Sequence, residues 1–148
     1  MRFHLVDRIV DWEPARSVRA RKVCALSEEY WIGPDDDLRM PPPLVLEAFC
    51  QAGTWLVMLS TERRKRAALL SVGAVAFLGD VRPGDVLDLD GTVESMSDEV
   101  AVLSGHARVD GRPVLEARDV MCALIDTEQL AALDDTERLQ TLLTTAGG

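Results

Sequence analysis

The sequence predicts an α+β fold in which a curved antiparallel sheet wraps around one central apolar helix. Three observations predict it. Residues 44–59 are apolar on nearly every side, interrupted only by Glu47, Gln51, Gly53 and Thr54, and a helix without a polar stripe belongs in an interior. Two strand-like stretches precede this helix and four follow it. The later strands are joined by short turns, among them the hairpin signal Asp110-Gly111, which makes them antiparallel. Wrapping the sheet around the helix is the simplest way to bury it.

The elements follow in order. Residues 3–12 carry β-branched and aromatic side chains and stop at Glu13-Pro14, as a strand does. Residues 16–26 alternate Val18, Ala20 and Lys22 among charges and predict a half-exposed second strand. Ser27 to Trp31 reads as a helical turn with a serine cap, and Gly33 to Asp37 as a loop. Pro41, Pro42 and Pro43 open the central helix, where a missing N–H costs little. The cations of Thr61 to Arg66 predict its solvated C-terminal end. Strands are expected at 69–78, 86–96, 100–109 and 114–125, as an antiparallel meander. Leucine spacing predicts an outer helix over about 127–143, and 144–148 a frayed tail. The whole chain, 1–148, is expected to form one domain with its core in about 3–125.

Composition narrows the function classes. With 47% hydrophobic and 28% charged residues the chain is an ordinary globular one, and its net charge of −9 argues against a general nucleic-acid binder. Residues 1–22 nevertheless hold six basic against three acidic residues, an edge suited to an acidic partner. Cys24, Cys50 and Cys122 are odd in number and have no metal-ligand spacing. They read as buried free thiols in a reducing cytoplasm, with no metal and no cofactor implied. No secretory signal precedes the first strand, and the apolar run 44–59 is short and contains Glu47, against a membrane span.

Glu47 is the residue that chemistry singles out. A carboxylate on an apolar helix has to be paired, neutralised or used. Gln51 stands one turn on, placed to orient Glu47 or line a pocket. Trp55, a further turn along, and Trp31 are expected in the core or in a pocket wall, so Gln51 and Trp55 are the candidate substrate contacts. His4 and His106 read as strand-face residues, and Arg63 to Arg66 as a solvated helix end, with a docking role as the sharper alternative.

Four segments carry a resemblance to a known family: Leu5-Val-Asp-Arg-Ile-Val-Asp-Trp-Glu-Pro14; Met40-Pro41 with Leu46-Glu-Ala48 and Gln51-Ala52; Val81-Arg-Pro-Gly-Asp-Val-Leu87; and Asp110-Gly-Arg-Pro-Val-Leu-Glu-Ala117. In order and spacing they resemble the 3-hydroxyacyl-acyl-carrier-protein dehydratases of the FabZ type, which implies the hotdog fold. The resemblance also implies an acyl thioester substrate on acyl-carrier protein or coenzyme A, and a dimer with sites shared between subunits. In that family a histidine ahead of the helix takes the α-proton, a helix acid from the other subunit assists departure of the hydroxyl, and the glycine N–H of Met-Pro-Gly polarises the carbonyl. Glu47 matches the helix acid, seven residues after Met40. Gly33 or Pro34 stands where the histidine is expected, and Pro42 where the glycine is; proline has no N–H to give.

The resemblance therefore implies a dehydratase subunit contributing Glu47 to a site completed by a histidine-bearing hotdog partner. A hotdog thioesterase using Glu47 alone, or a non-catalytic acyl-binding subunit, are the alternatives.

Overall fold

A computed structural model describes residues 4–129 of the chain. Its elements are β1 (Arg8–Glu13), β2 (Ser17–Val23), α1 (Pro42–Ser60), β3 (Lys65–Phe77), β4 (Val86–Met96), β5 (Val100–Val109) and β6 (Arg112–Asp126). One antiparallel sheet holds all six strands in the order β1-β2-β4-β5-β6-β3, and α1 packs against every one of them. The sheet-wrapped helix is the arrangement expected. Although α1 is long and apolar enough to cross a membrane by length and composition, here it is the core helix of a sheet.

Strand order departs from a plain meander. β4, β5 and β6 do follow one another, but β3 crosses to the far edge and pairs with β6, from Lys65 opposite Asp126 to Phe77 opposite Leu115. Its other edge is unpaired among the described residues. Along it Leu69, Leu70, Val75, Phe77 and the following Leu78 are exposed.

The helix end is also corrected. The last turn of α1 contains no basic residue. Positive φ at Glu62 and Arg63 reverses the chain, so Lys65 and Arg66 belong to β3, which begins four residues earlier than expected. The predicted turn at 27–31 is a run of bends and turns rather than helix. There the Glu28 N–H bonds the Ala25 carbonyl at 3.2 Å, and the Trp31 indole N–H bonds the same oxygen at 3.0 Å. β1 starts at Arg8 instead of residue 3, because Leu5 leaves the strand path and is buried. β2 ends at Val23 instead of 26, where the Cys24 N–H turns to Asp85. Thr127 to Gln129 begin a helical segment; the rest of the helix expected over 127–143, and the tail, lie outside the described residues.

The core lies between α1 and the concave sheet. Val45, Ala48, Phe49, Ala52, Leu56 and Val57 form the buried side of the helix, facing Val18, Leu87, Leu89, Leu103, Leu115 and Val120. Phe49 needs Gly105 and lies in ordinary contact range of Gly91. A methyl at Gly105 would sit 2.7 Å from its ring and 1.9 Å from the Asp90 carbonyl oxygen, and one at Gly91 would sit 3.7 Å from the ring. These residues let the sheet come close to the helix.

Candidate active site

The sequence places Glu47 on a buried helix, yet in the single chain Glu47 is exposed. One side of α1 is uncovered, and Glu47, Gln51 and Trp55 repeat along it every four residues, with Trp55 40% exposed. The apolar character read all round the helix therefore has two causes. The sheet covers one side, and the other is left open.

Gln51 links this face to the N-terminal segment. Its Nε2 donates to Glu47 Oε1 at 3.2 Å, while its Oε1 accepts the Leu5 N–H at 2.8 Å. The backbone of residue 5 thus fixes which end of the amide points at Glu47. Asp7 fastens the same segment to β2, accepting the Val23 N–H at 2.6 Å, while its own N–H bonds the Arg21 carbonyl at 2.9 Å.

At the helix entrance the backbone offers few donors. Pro41, Pro42 and Pro43 have no N–H, and the first one available, on Leu44, is taken by the Pro41 carbonyl at 2.9 Å. The positive end of a helix acts on an anion through such N–H groups. Ahead of it, residues 33–38 form a closed loop. Ile32 and Arg39 exchange backbone hydrogen bonds of 3.0 and 2.8 Å, and Gly33 takes φ 105°. This loop is fastened by charge: Arg39 meets Asp37 at 2.9 Å and Asp80 at 3.1 Å, and Arg82 also pairs with Asp37. The Arg82 and Arg39 guanidiniums hold the Asp37 carboxyl below its ordinary range.

An open cleft of about 310 Å³ continues along the helix face, lined by His4, Gln51, Thr54, Trp55, Met58 and Arg66. Gln51 and Trp55, the candidate substrate contacts, both line it. The sequence does not predict His4 or Arg66. No spacing signal relates residues 4 and 66 to residue 51; only the buried Leu5 and the reversal at Glu62 and Arg63 bring them together. His106 is elsewhere, with Nε2 3.2 Å from Asp90 Oδ2 on the sheet. Trp31 is partly buried against Tyr30, with ring centres 5.0 Å apart. The arginines of β2 are answered by β4, Arg19 by Asp90 and Arg21 by Asp88, each at 3.3 Å. The N-terminal charge excess is thus partly neutralised within the fold.

The three cysteines are free thiols. Burial pushes Cys24 up to about 11 and Cys50 up to about 12, with Glu47 and Cys122 adding to the latter. Neither is poised as a nucleophile. Among the described residues no cluster of histidine, cysteine, aspartate and glutamate suits a metal.

Residues 1–118 match the family model described as a FabA-like domain. The chain is 37% identical over 134 residues to the 3-hydroxyacyl-[acyl-carrier-protein] dehydratase FabZ of Chlamydia pneumoniae, an alignment covering 86% of each chain. With the FabZ of Anaeromyxobacter sp. (strain K) it shares 38% over 133 residues, covering 86% of this chain and 84% of the other. Among solved structures, the dehydratase heterocomplex ApeI:P from Xenorhabdus doucetiae superposes with a TM-score of 0.70 at 17% identity, over 88% of both chains. A Streptococcus mutans UA159 protein bound to acetyl CoA gives 0.64 at 16% identity, over 85% of this chain and 93% of that one. At such identities the structural likeness speaks for the fold, which is the hotdog fold.

Proposed function

Because the chain belongs to the FabA-like domain family, with the FabZ 3-hydroxyacyl-[acyl-carrier-protein] dehydratases as its relatives, we propose that it is the acid-bearing subunit of a two-chain cytoplasmic dehydratase. One observation carries this reading. Glu47 is retained on an open helix face and oriented by Gln51, beside an entrance stripped of N–H groups. A site in this state has its acid, but lacks a base and the donor that grips a thioester.

The chemistry assigns the missing parts. Loss of water from a 3-hydroxyacyl thioester breaks the C2–H and C3–O bonds and forms the C2=C3 double bond, with no cofactor. A base must take the α-proton, a donor must steady the negative charge growing on the thioester oxygen, and an acid must give the departing hydroxide its proton. Glu47 is assigned the last role. A hotdog partner supplies a histidine and the backbone N–H. Gly33 and Pro34 offer no imidazole where the family places one, and that loop is filled by the Asp37, Arg39, Asp80 and Arg82 network.

The unpaired β3 edge supports the need for a partner. It runs 13 residues and exposes large apolar side chains beside backbone groups with no ladder, and edges of this kind pair with another chain unless they are blunted. ApeI:P, which has this fold, is a dehydratase heterocomplex. A thioesterase relying on Glu47 alone would need the same oxyanion donors, so the proline-rich entrance counts against it.

The test mixes the purified chain with a hotdog protein encoded beside it that retains the histidine and glycine motifs, and supplies a 3-hydroxyacyl carrier protein. Dehydration requires both chains and falls at least a hundredfold with Glu47→Gln. Full activity with Glu47→Gln in the mixture refutes the assignment and leaves a non-catalytic subunit.

A further inference from the structure

The His4–Arg66 cleft continues along α1 from Gln51, and its composition is selective. Its ionisable lining residues are both basic, and the remainder are Gln51, Thr54, Trp55 and Met58. Arg66 is exposed on β3, and its guanidinium has no partner among the described residues. His4 is held in place through its neighbour, since Leu5 is buried and its N–H is bonded to Gln51. A cleft with a free guanidinium, an imidazole and an aromatic wall suits an anion at the end of a partly apolar chain.

We propose that His4 and Arg66 receive the phosphate of the pantetheine arm that delivers the acyl thioester to Glu47. This inference rests on the thioester reading above. Length supports it. Glu47 and Met58 are eleven residues apart on α1, a rise of about 16 Å at 1.5 Å per residue. About thirteen bonds separate the thioester sulfur of a phosphopantetheine from its phosphorus, roughly 15 Å at the ~1.15 Å per bond of an extended chain. With the thioester at Glu47, an arm laid along the open helix face brings its phosphate to the level of Met58 and the Arg66 end of the cleft. The arm's amides and methyl groups then pass Gln51, Thr54 and Trp55.

The experiment measures binding of pantetheine 4′-phosphate and of pantetheine to the full-length chain, alone and with its partner, by calorimetry or ligand-observed NMR. The phosphate is expected to tighten binding about tenfold, a difference lost in Arg66→Ala, kept in Arg66→Lys and reduced in His4→Ala. Coenzyme A and a holo carrier protein bring the same phosphate from two sources, and the source with the larger loss in Arg66→Ala is the physiological one. Equal affinity for both pantetheines, or a phosphate effect that survives the double variant His4→Ala/Arg66→Ala, overturns the proposal. Because binding is read without turnover, inactivity of the complex or indifference to Glu47→Gln would count against the dehydratase reading alone.

Discussion

Lys22 is 1% exposed, with its ammonium 3.0 Å from Glu28 Oε1 and 5.4 Å from the centre of the Tyr30 ring. Glu28 is different, since its side chain remains 32% exposed. The two halves of the pair therefore respond unequally to removal. Glu28→Gln leaves a charge deep in the protein without its counter-ion. Breaking a fully buried pair in this way costs about 3–5 kcal/mol, and the exposure of Glu28 reduces this to about 1–3 kcal/mol. Lys22→Met keeps the volume of the stem and releases Glu28 to water, so it changes stability by less than about 1 kcal/mol. Urea unfolding followed by circular dichroism measures both. With a slope near 1.5 kcal/mol/M, a loss of 2 kcal/mol moves the midpoint down by about 1.3 M. If Lys22→Met costs as much as Glu28→Gln, the ammonium itself contributes net stability at this site, and the asymmetry is refuted.

Other outcomes follow from the same geometry. Gly105→Ala forces a methyl against the Asp90 carbonyl and the Phe49 ring; overpacking against backbone lowers stability by about 3 kcal/mol, while Gly91→Ala, with 3.3 Å to Val18, costs clearly less in the same denaturant assay. Gln51→Ala frees both the Leu5 N–H and Glu47, and in the mixed complex it lowers kcat about tenfold, the equivalent of one hydrogen bond of about 1.4 kcal/mol. Cys24 and Cys50 are raised by burial from 9.0 to about 11 and about 12, so the unfolded chain loses these protons first. Their contribution to stability is complete below pH 9 and declines as pH rises from 9 toward 11; thermal melts across that window detect it, and a Cys24→Ala/Cys50→Ala variant shows a shallower decline. A native chain titrated with a thiol reagent at about pH 8, below the ordinary thiol range, reacts at these two positions only on unfolding.

Much of the fold was legible because its signals are local. The apolar run of α1, the boundaries of β4 at Val86 and Met96, and those of β5 at Val100 and Val109 are set by periodicity and by turn residues that sit beside them. The errors lie where distant chain segments decide. Leu5 abandons β1 for the core, and Lys65 and Arg66 leave the helix for β3 because the chain reverses at Glu62 and Arg63. β3 finds β6 rather than β4, a pairing that no feature of β3 itself specifies. The site followed the same rule. Glu47, Gln51 and Trp55 share a helix face by arithmetic, but their exposure depends on where the sheet stops, and His4 and Arg66 reach the cleft only through tertiary structure.

The β3–β6 pairing also orders the events of folding. Lys65 and Asp126 are opposite each other in the sheet although they stand 61 positions apart in the chain, so that ladder closes a long loop and forms late. Until β6 is made, both edges of β3 are open, and the apolar helix next to it lacks part of its wall. A ribosome emitting this chain exposes its most apolar segment early and covers it last. The slow step, and the species most exposed to misassembly, is expected to be the intermediate awaiting β6. A chain truncated before Arg112 would populate that state permanently, and limited proteolysis would find its first cuts around α1 and β3.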